Sequence, residues 1–285
     1  MSREKAKILE DTLNYLKFYK EYNNYIIYES DVKESASGID FSLTEKTEYS
    51  TNESKVEISS EPAVLENISV AEIKTEKITK KIESEAKKIN SGINWDNCGT
   101  LVNMSTEVSK CCLCNVLSEK RTQTVFGFGN PDAEIVVIGE APGAEEDVQG
   151  KPFVGRAGKL LTDILKAINF DREEIYICNI LKCRPPENRN PLPDEIANCE
   201  PYLYKQLELI KPKMILALGT FAAQTLLKSK EPLGKLRGKL HLYNGIKMMV
   251  TYHPAALLRN PSWKKPTWED VQIFRKEFDL IKGLK

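Results

Sequence analysis

The sequence has no apolar stretch long enough to cross a membrane. Its hydrophobic runs fall well short of the roughly 18 residues that a spanning helix needs, and the N-terminus lacks the apolar core of a secretion signal. Seven cysteines are an odd number in a chain without such a signal, which argues against a framework of disulfides. We therefore expect a soluble, cytoplasmic protein whose thiols bind a metal or remain buried and free.

Aromatic residues are nearly absent from residues 31–90. This segment holds thirteen Asp or Glu and nine Lys, but only Phe41 and Tyr49 among the aromatic residues. So polar a segment buries too little apolar surface to offset its ordering entropy. We expect residues 1–93 to form an N-terminal extension of short helices and a largely disordered acidic tether. Residues 94–285 then form the folded domain, which is mildly basic although the net charge of the whole chain is zero.

Short β-rich runs alternate with helical patterns in the second part of the chain. The runs lie at 135–138, 175–179, 214–218 and 247–252, and the helical patterns at 160–168, 194–210 and 220–228. Continuous apolar runs of this length are typical of buried parallel strands. The alternation predicts an α/β fold, a three-layer α/β/α sandwich with a central parallel four-stranded sheet.

Polar residues follow each predicted strand at its carboxyl end. Glu140 follows the first strand, Asn179 ends the second, Gly219 and a helix-capping Thr220 follow the third, and His253 follows the fourth. All carboxyl ends of a parallel sheet lie at one edge, so these residues should meet at one crevice. The loop that starts at Glu140 is rich in Gly and carboxylates, and an acidic, solvated turn is the alternative interpretation.

Four cysteines could bind one metal centre. Cys111 and Cys114 form a C-x2-C pair, and Cys199 follows Cys183 with fifteen residues between them. Four thiolates can hold a 4Fe-4S cluster or a structural zinc ion. The wide second spacing favours iron and sulfur, because zinc ribbons usually pair two C-x2-C units. Buried cysteines that only fill the core are the alternative.

Four stretches, in this order, resemble the family-4 uracil-DNA glycosylases, the iron–sulfur branch of their superfamily. They are the C-x2-C pair, VFGFGNPDAEIVVIGEAPGAEEDVQGKPFVGRAGKLL, ICNILKCRPPENRNPLPDEIANCEPYL and YHPAALLRNP. The resemblance covers roughly residues 105–285. It implies a DNA-repair hydrolase that releases uracil from single- or double-stranded DNA and carries a 4Fe-4S cluster. We further expect a monomer that does not bind membranes.

The resemblance also implies a uracil pocket. His253 would donate a hydrogen bond to uracil O2, and Asn179 would match the N3–H and O4 edge of the base. Phe153 would stack on the flipped base. A loop histidine with only structural partners, and an asparagine that closes a strand into a turn, are the alternatives. Pro254 favours an extended backbone at His253, which suits a loop residue directed into the crevice.

Three further residues would complete the pocket. Glu146 matches the position that crowds uracil C5 and excludes thymine, although a glutamate at a helix start is an equally ordinary interpretation. Glu140 and the backbone of Ala141 would form the floor. In the family-1 enzymes an Asp follows this strand and activates water, but this chain has Ala141 there. Glu140 is therefore the leading candidate to guide the attacking water.

The segment after His253 resembles a loop that enters the DNA minor groove. Leu257 or Leu258 would act as the wedge, and Arg259 would contact a phosphate. The start of a short apolar helix is the alternative.

Other classes of protein fit the sequence less well. A covalent uracil-binding relative carries a basic, His-containing insertion after the PFVG segment, whereas here residues 156–161 continue directly into a helix. No G-x4-G-K-[ST] phosphate loop is present. A non-catalytic metal-containing DNA-binding module would keep the cysteines but has no need of His253, Asn179 and Phe153 at one sheet edge.

Overall fold

The computed structural model describes residues 93–284. The N-terminal extension predicted for residues 1–93 therefore lies almost entirely outside the described residues, and its boundary with the domain stays a prediction. Within residues 93–284, no helix is both long and apolar enough to cross a membrane.

The described residues form nine α-helices and six strands. The strands are β1 (Phe128–Gly129), β2 (Ile135–Gly139), β3 (Tyr176–Asn179), β4 (Met214–Leu218), β5 (Leu240–Tyr243) and β6 (Ile246–Thr251). The helices are α1 (Leu101–Ser109), α2 (Asn115–Lys120), α3 (Ala144–Gln149), α4 (Arg156–Ala167), α5 (Pro193–Ile210), α6 (Gly219–Leu227), α7 (Leu233–Leu236), α8 (Pro254–Arg259) and α9 (Lys264–Ile281).

All strands join one sheet in the order β1-β3-β2-β4-β6-β5. The central four, β3, β2, β4 and β6, are parallel, as the sequence predicts. The prediction of four strands is nevertheless wrong, because β1 and β5 add antiparallel edges. Neither edge has a continuous buried run: β1 is two residues long, and Leu240 and Leu242 of β5 are exposed.

Helices cover both faces of the sheet, which confirms the three-layer sandwich. Along β2, Val136 and Ile138 pack in one core cluster with side chains of α1, α5 and α6. Ile135 and Val137 point the other way and pack with α4 and α9. This alternation follows from the pleat of a strand. It buries β2 completely and fixes its carboxyl end between the two helical layers.

Two local predictions need correction. Helix α6 begins at Gly219 and is preceded by Leu218, so Thr220 is not its N-cap. Part of the predicted acidic loop is helix α3, whose first turn carries the carboxylates, where the helix dipole favours negative charge.

Candidate active site

A cavity of about 410 Å³ opens at the carboxyl ends of the parallel strands. Its lining includes the predicted pocket residues Glu140, Ala141, Glu146, Phe153, Asn179 and His253, together with the predicted DNA contact Arg259. Residues that the sequence analysis did not select also line it: Pro142, Gly143, Ala157, Pro185, Asn188, Arg189, Asn190 and Ala255. The structure thus gathers residues from several strand ends around one space.

Asn179 presents an unpaired acceptor in this cavity. It ends β3, is 2% exposed, and its side-chain Oδ1 has no hydrogen-bond partner among the described residues. Gly139 makes the space for it, because a Cβ there would collide with Oδ1 and approach Phe153 Cζ to 2.7 Å. Leaving a buried acceptor unsatisfied costs about 1–3 kcal/mol. The position therefore suits a ligand that brings a donor.

A buried lysine ties the end of β3 to the cysteine segments. Lys182 is 1% exposed, and its Nζ donates to the backbone oxygen of Asn179 at 2.8 Å and to Gln206 Oε1. The backbone N–H of Lys182 donates to Cys199 Sγ at 3.3 Å. Its burial was not predictable from the sequence, because lysine side chains usually lie at the surface. Its contacts fix the backbone from which the Asn179 side chain projects.

His253 is a neutral imidazole with one nitrogen already used. The residue caps helix α8 with an extended backbone, φ −73° and ψ 135°, as the following Pro254 predicts. Nδ1 accepts a hydrogen bond from the Ala255 N–H at 3.2 Å, so the ring proton belongs on Nε2. Burial, with a smaller contribution from Arg259, lowers the pKa of His253 to about 4. At neutral pH the side chain therefore carries one N–H that can donate to a ligand.

Phe153 lies beside His253 in an unusual backbone conformation. The ring centroids are 5.3 Å apart and the planes are tilted by 32°. The φ of Phe153 is 53°, a left-handed value that costs a bulky residue about 1–3 kcal/mol. The surrounding structure must therefore hold this residue in place. The ring is 6% exposed and offers an aromatic surface to the cavity.

Glu146 bridges two parts of the cavity wall. Its Oε2 accepts from the Gly143 N–H at 3.1 Å, and its Oε1 accepts from the Val154 N–H, also at 3.1 Å. These contacts fit the interpretation of a glutamate at a helix start. Because Glu146 also lines the cavity, its exclusion of thymine stays a prediction.

Glu140 is a half-buried carboxyl group without a cationic partner among the described residues. Burial raises its pKa to about 7 from an ordinary value of 4.5. Its backbone oxygen accepts from the Leu181 N–H at 3.0 Å, which extends the pairing of β2 and β3 beyond their ends. A carboxyl group that titrates near neutral pH suits proton transfer.

Replacing Glu140 by glutamine is expected to stabilise the protein at high pH. A raised carboxyl pKa leaves stability intact below pH 4.5 and reduces it as the pH rises to about 7. The glutamine side chain carries no charge, so the variant should gain about 1–2 kcal/mol in free energy of unfolding at pH 8, discounted for partial exposure. Urea denaturation at pH 5 and pH 8 measures this difference. An equal gain at both pH values would contradict the buried-charge explanation.

The loop between β3 and α5 supplies four of the cavity residues that were not selected from the sequence. Asn188, Arg189 and Asn190 lie at the rim. Nη1 and Nη2 of Arg189 donate to Glu195, at 2.9 Å and 2.6 Å. The sequence carried a weak signal, a polar NRNP segment that begins nine residues beyond the predicted strand end at Asn179.

The segment after His253 is helix α8. Leu257 is completely buried, so it cannot act as a wedge. Leu258 is half-buried, and Arg259 is exposed at the cavity rim. Of the two leucines considered from the sequence, only Leu258 stays a candidate for DNA contact, together with Arg259.

The four predicted metal-ligating cysteines belong to one part of the core. Cys111, Cys183 and Cys199 are buried in the same cluster, and Cys114 packs against it. Each sulfur receives a donor from outside the group. The donors are Tyr202 Oη to Cys111, Asn198 Nδ2 to Cys114, Arg121 Nη1 to Cys183 and the Lys182 N–H to Cys199, at 3.2, 3.6, 3.0 and 3.3 Å.

The donor set suits anionic sulfur, because hydrogen bonds and a guanidinium stabilise thiolates. Among residues 93–284, no three His, Cys, Asp or Glu side chains are arranged to hold a single metal ion. The remaining cysteines have other surroundings: Cys98 and Cys178 are buried, and Cys112 is exposed.

The fold and the cavity define an α/β protein with a neutral imidazole and an unpaired amide oxygen at the carboxyl ends of its strands. A family model described as the uracil DNA glycosylase superfamily matches residues 126–273. The chain therefore belongs to the uracil-DNA glycosylase superfamily, and the resemblance to its family-4 branch is confirmed by individual relatives.

These relatives include two type-4 uracil-DNA glycosylases. That of Saccharolobus solfataricus is 48% identical over 182 residues, which are 61% of this chain and 82% of the relative. That of Thermotoga maritima is 47% identical over 173 residues, 59% of this chain and 90% of the relative. A type-5 uracil-DNA glycosylase of Pyrobaculum aerophilum is 29% identical over 147 residues, 46% of this chain and 65% of the relative.

Proposed function

We propose that this chain is a uracil-DNA glycosylase of the type-4 branch, which hydrolyses the N-glycosidic bond of uracil in DNA. It releases free uracil and leaves an abasic site. The observation that carries the proposal is that one cavity contains both the Asn179 Oδ1, which has no hydrogen-bond partner among the described residues, and the neutral His253 imidazole. The chain's membership of the superfamily and its similarity to type-4 relatives support the same activity.

Recognition of the base follows from its hydrogen-bonding edge. The Asn179 Oδ1 accepts from uracil N3–H, and its amide donates to O4. Cytosine has an acceptor at N3 and a donor at C4, so it reverses both contacts. Phe153 stacks on the flipped base, and Glu146 beside Gly143 leaves little room for a methyl group at C5.

Bond cleavage moves the electron pair of the C1′–N1 bond onto uracil. The leaving base becomes an anion, and the Nε2–H of His253 stabilises the charge on O2. Water then adds to C1′ of the cationic sugar and loses a proton to the Glu140 carboxylate. Above a pH of about 7 this carboxylate is ionised and ready to accept it.

DNA contacts come from helix α8 at the cavity rim. Leu258 enters the minor groove as a wedge, and Arg259 contacts a phosphate. The bound partner is uracil-containing DNA, single- or double-stranded, and the enzyme works as a monomer in the cytoplasm.

Cys111, Cys114, Cys183 and Cys199 would hold a 4Fe-4S cluster, with zinc as the alternative occupant. Their shared core cluster and the four outside donors support this ligand set. When bound, the cluster supplies a cross-link between the segment before α2 and the segments after β3. Through Lys182, this cross-link also steadies the carboxyl end of β3.

Loss of one ligand should remove the metal, whereas loss of a neighbouring thiol should not. We expect the purified full-length chain to be coloured and to contain about four irons and four sulfides. Cys183→Ser should lose most of this iron, while Cys112→Ser, which changes an exposed thiol inside the C-x2-C pair, should keep it. Metal analysis and visible absorbance measure both. A colourless protein with stoichiometric zinc, or iron loss in Cys112→Ser alone, would contradict this assignment.

The activity is tested with the full-length chain on oligonucleotides that contain one uracil. Free uracil and alkali-sensitive strand breaks should appear from single strands, U·G duplexes or both. Matched oligonucleotides with cytosine or thymine should stay intact. DNA bound without release, or DNA attached covalently to the protein, would instead indicate a non-catalytic or covalent uracil-binding protein of the same fold.

A further inference from the structure

Arg172 binds the backbone at Phe153. The arginine lies in the short 3-10 turn Arg172–Glu174, before β3, and does not line the cavity. Its Nη2 donates to the carbonyl oxygens of Pro152 and Phe153, each at 2.9 Å. One guanidinium therefore fixes two successive carbonyl groups at the aromatic residue.

The other terminal nitrogen of Arg172, Nη1, anchors this contact to helix α4. Nη1 donates to Thr162 Oγ1 at 3.1 Å and to the Gly158 carbonyl at 3.5 Å. Gly158 also lies directly against Phe153, since a Cβ at this position would overlap the Phe153 carbonyl group. The Phe153 carbonyl is thus confined by Arg172 and by the first turn of α4.

These contacts stabilise a strained backbone conformation at Phe153. A phenylalanine does not adopt a φ of 53° by its own preference. Without Arg172, the backbone at Phe153 could relax toward negative φ, and the ring would turn away from His253. The contacts of Arg172 are therefore those expected of a residue that keeps the ring at the cavity.

We propose that Arg172 is a positioning residue for base recognition, which acts through Phe153 to orient the ring that stacks on the extruded base. This inference rests on the proposed function for the identity of the base. Arg172 would thus contribute to uracil binding although it does not line the cavity.

Arg275 provides a matched control. Its Nη1 donates to the carbonyl groups of Ile168 and Asn169 at 3.3 and 2.8 Å, and its guanidinium lies 4.6 Å from the centroid of the Phe170 ring. Asn169 also has a left-handed φ, 57°. The contacts are thus of the same kind, but none of these residues lines the candidate active site.

The experiment compares Arg172→Met and Arg275→Met in the full-length chain. We expect Arg172→Met to reduce kcat/KM for uracil release, and to weaken inhibition by free uracil, by about tenfold, a loss within the range of one stacking contact. Arg275→Met should change either quantity less than about twofold, as expected for a substitution away from the site. Arg172→Lys, which keeps the charge but not the paired donors, should fall between wild type and Arg172→Met.

A double-mutant cycle separates positioning from general stability. In a Phe153→Ala background, Arg172→Met should cause no further loss, because the ring through which it acts is absent. Thermal melting identifies any variant that fails to fold, in which case the cycle is run with Arg172→Lys. Equal effects of the two arginine substitutions, or an undiminished Arg172 effect in the Phe153→Ala background, would overturn the inference while wild-type activity leaves the proposed function intact. A wild-type chain that releases no uracil would instead overturn the proposed function.

Discussion

His253→Ala is expected to slow uracil release by about a hundredfold or more in single-turnover assays. Removing one preorganised donor to a developing anion typically costs 10²–10³ in rate, roughly 2.7–4 kcal/mol. The donor is preorganised here because the Ala255 N–H occupies Nδ1 and leaves the proton on Nε2. Since the charge on uracil develops only as the bond breaks, the loss should appear in the chemical step and much less in DNA binding.

The pH dependence distinguishes a neutral from a charged imidazole. With a pKa of about 4, His253 does not change its protonation between pH 5.5 and 9. The wild-type rate should therefore increase only through the titration of Glu140 near pH 7, and Glu140→Gln should remove this increase. A rate that falls as the pH rises through 6 to 7 would mean that an imidazolium is the donor, contrary to the structure.

His241 is the control for this substitution, because the chain contains only two histidines. It lies on edge strand β5 and contacts the Leu236 carbonyl group at 2.7 Å, outside the lining of the candidate active site. His241→Ala should release uracil within about twofold of the wild-type rate, as expected for a residue away from the chemistry. Similar losses in the two variants would remove His253 from its proposed role.

The convergence of the pocket residues on one cavity was predictable, because a parallel sheet brings together residues that lie far apart in the sequence. Glu140, Asn179 and His253 each follow a recognisable buried run, and parallel strands bring their carboxyl ends to one edge. Nothing beyond strand assignment was required for this expectation. The extended backbone at His253 was equally local, since it depends on the next residue being proline.

The antiparallel edges escaped prediction for different reasons. Strand β1 has only two residues, too few to show any pattern. Strand β5 could have been predicted, because Asn-Gly, here Asn244 and Gly245, is typical of a two-residue hairpin. Both residues have positive φ and join β5 to β6. Because residues such as Leu242 are exposed, the strand has no continuous buried run of the kind that identifies the central strands.

The support of Phe153 could not be read from the sequence. Its φ is 53°, and its carbonyl oxygen accepts a hydrogen bond from Arg172, nineteen positions further along the chain. Contacts between an arginine and distant carbonyl groups leave no periodicity and no motif. The same holds for Lys182, whose burial becomes visible only when the end of β3 and Gln206 of helix α5 are in place.

Asn179→Ala is expected to reduce uracil release by about a hundredfold or more. The substitution removes the acceptor for N3–H and the donor to O4, whose share of the negative charge grows as the base leaves. Gly139 lies directly against Oδ1 and Phe153, so the wall around this oxygen is formed by backbone and an aromatic ring. Release rates on uracil- and cytosine-containing oligonucleotides measure the effect, and cytosine release should not appear.

Asn179→Asp is the matched variant, because it keeps the shape of the side chain and changes only its chemistry. A carboxylate accepts from N3–H but cannot donate to O4, and it places negative charge beside a departing anion. We therefore expect Asp to restore none of the rate lost in Asn179→Ala at pH 8. Wild-type rates in Asn179→Asp would mean that only shape matters at this position. Wild-type rates in Asn179→Ala would mean that the unpaired oxygen at the end of β3 does not read the base, and recognition would then have to rest on Phe153 and His253.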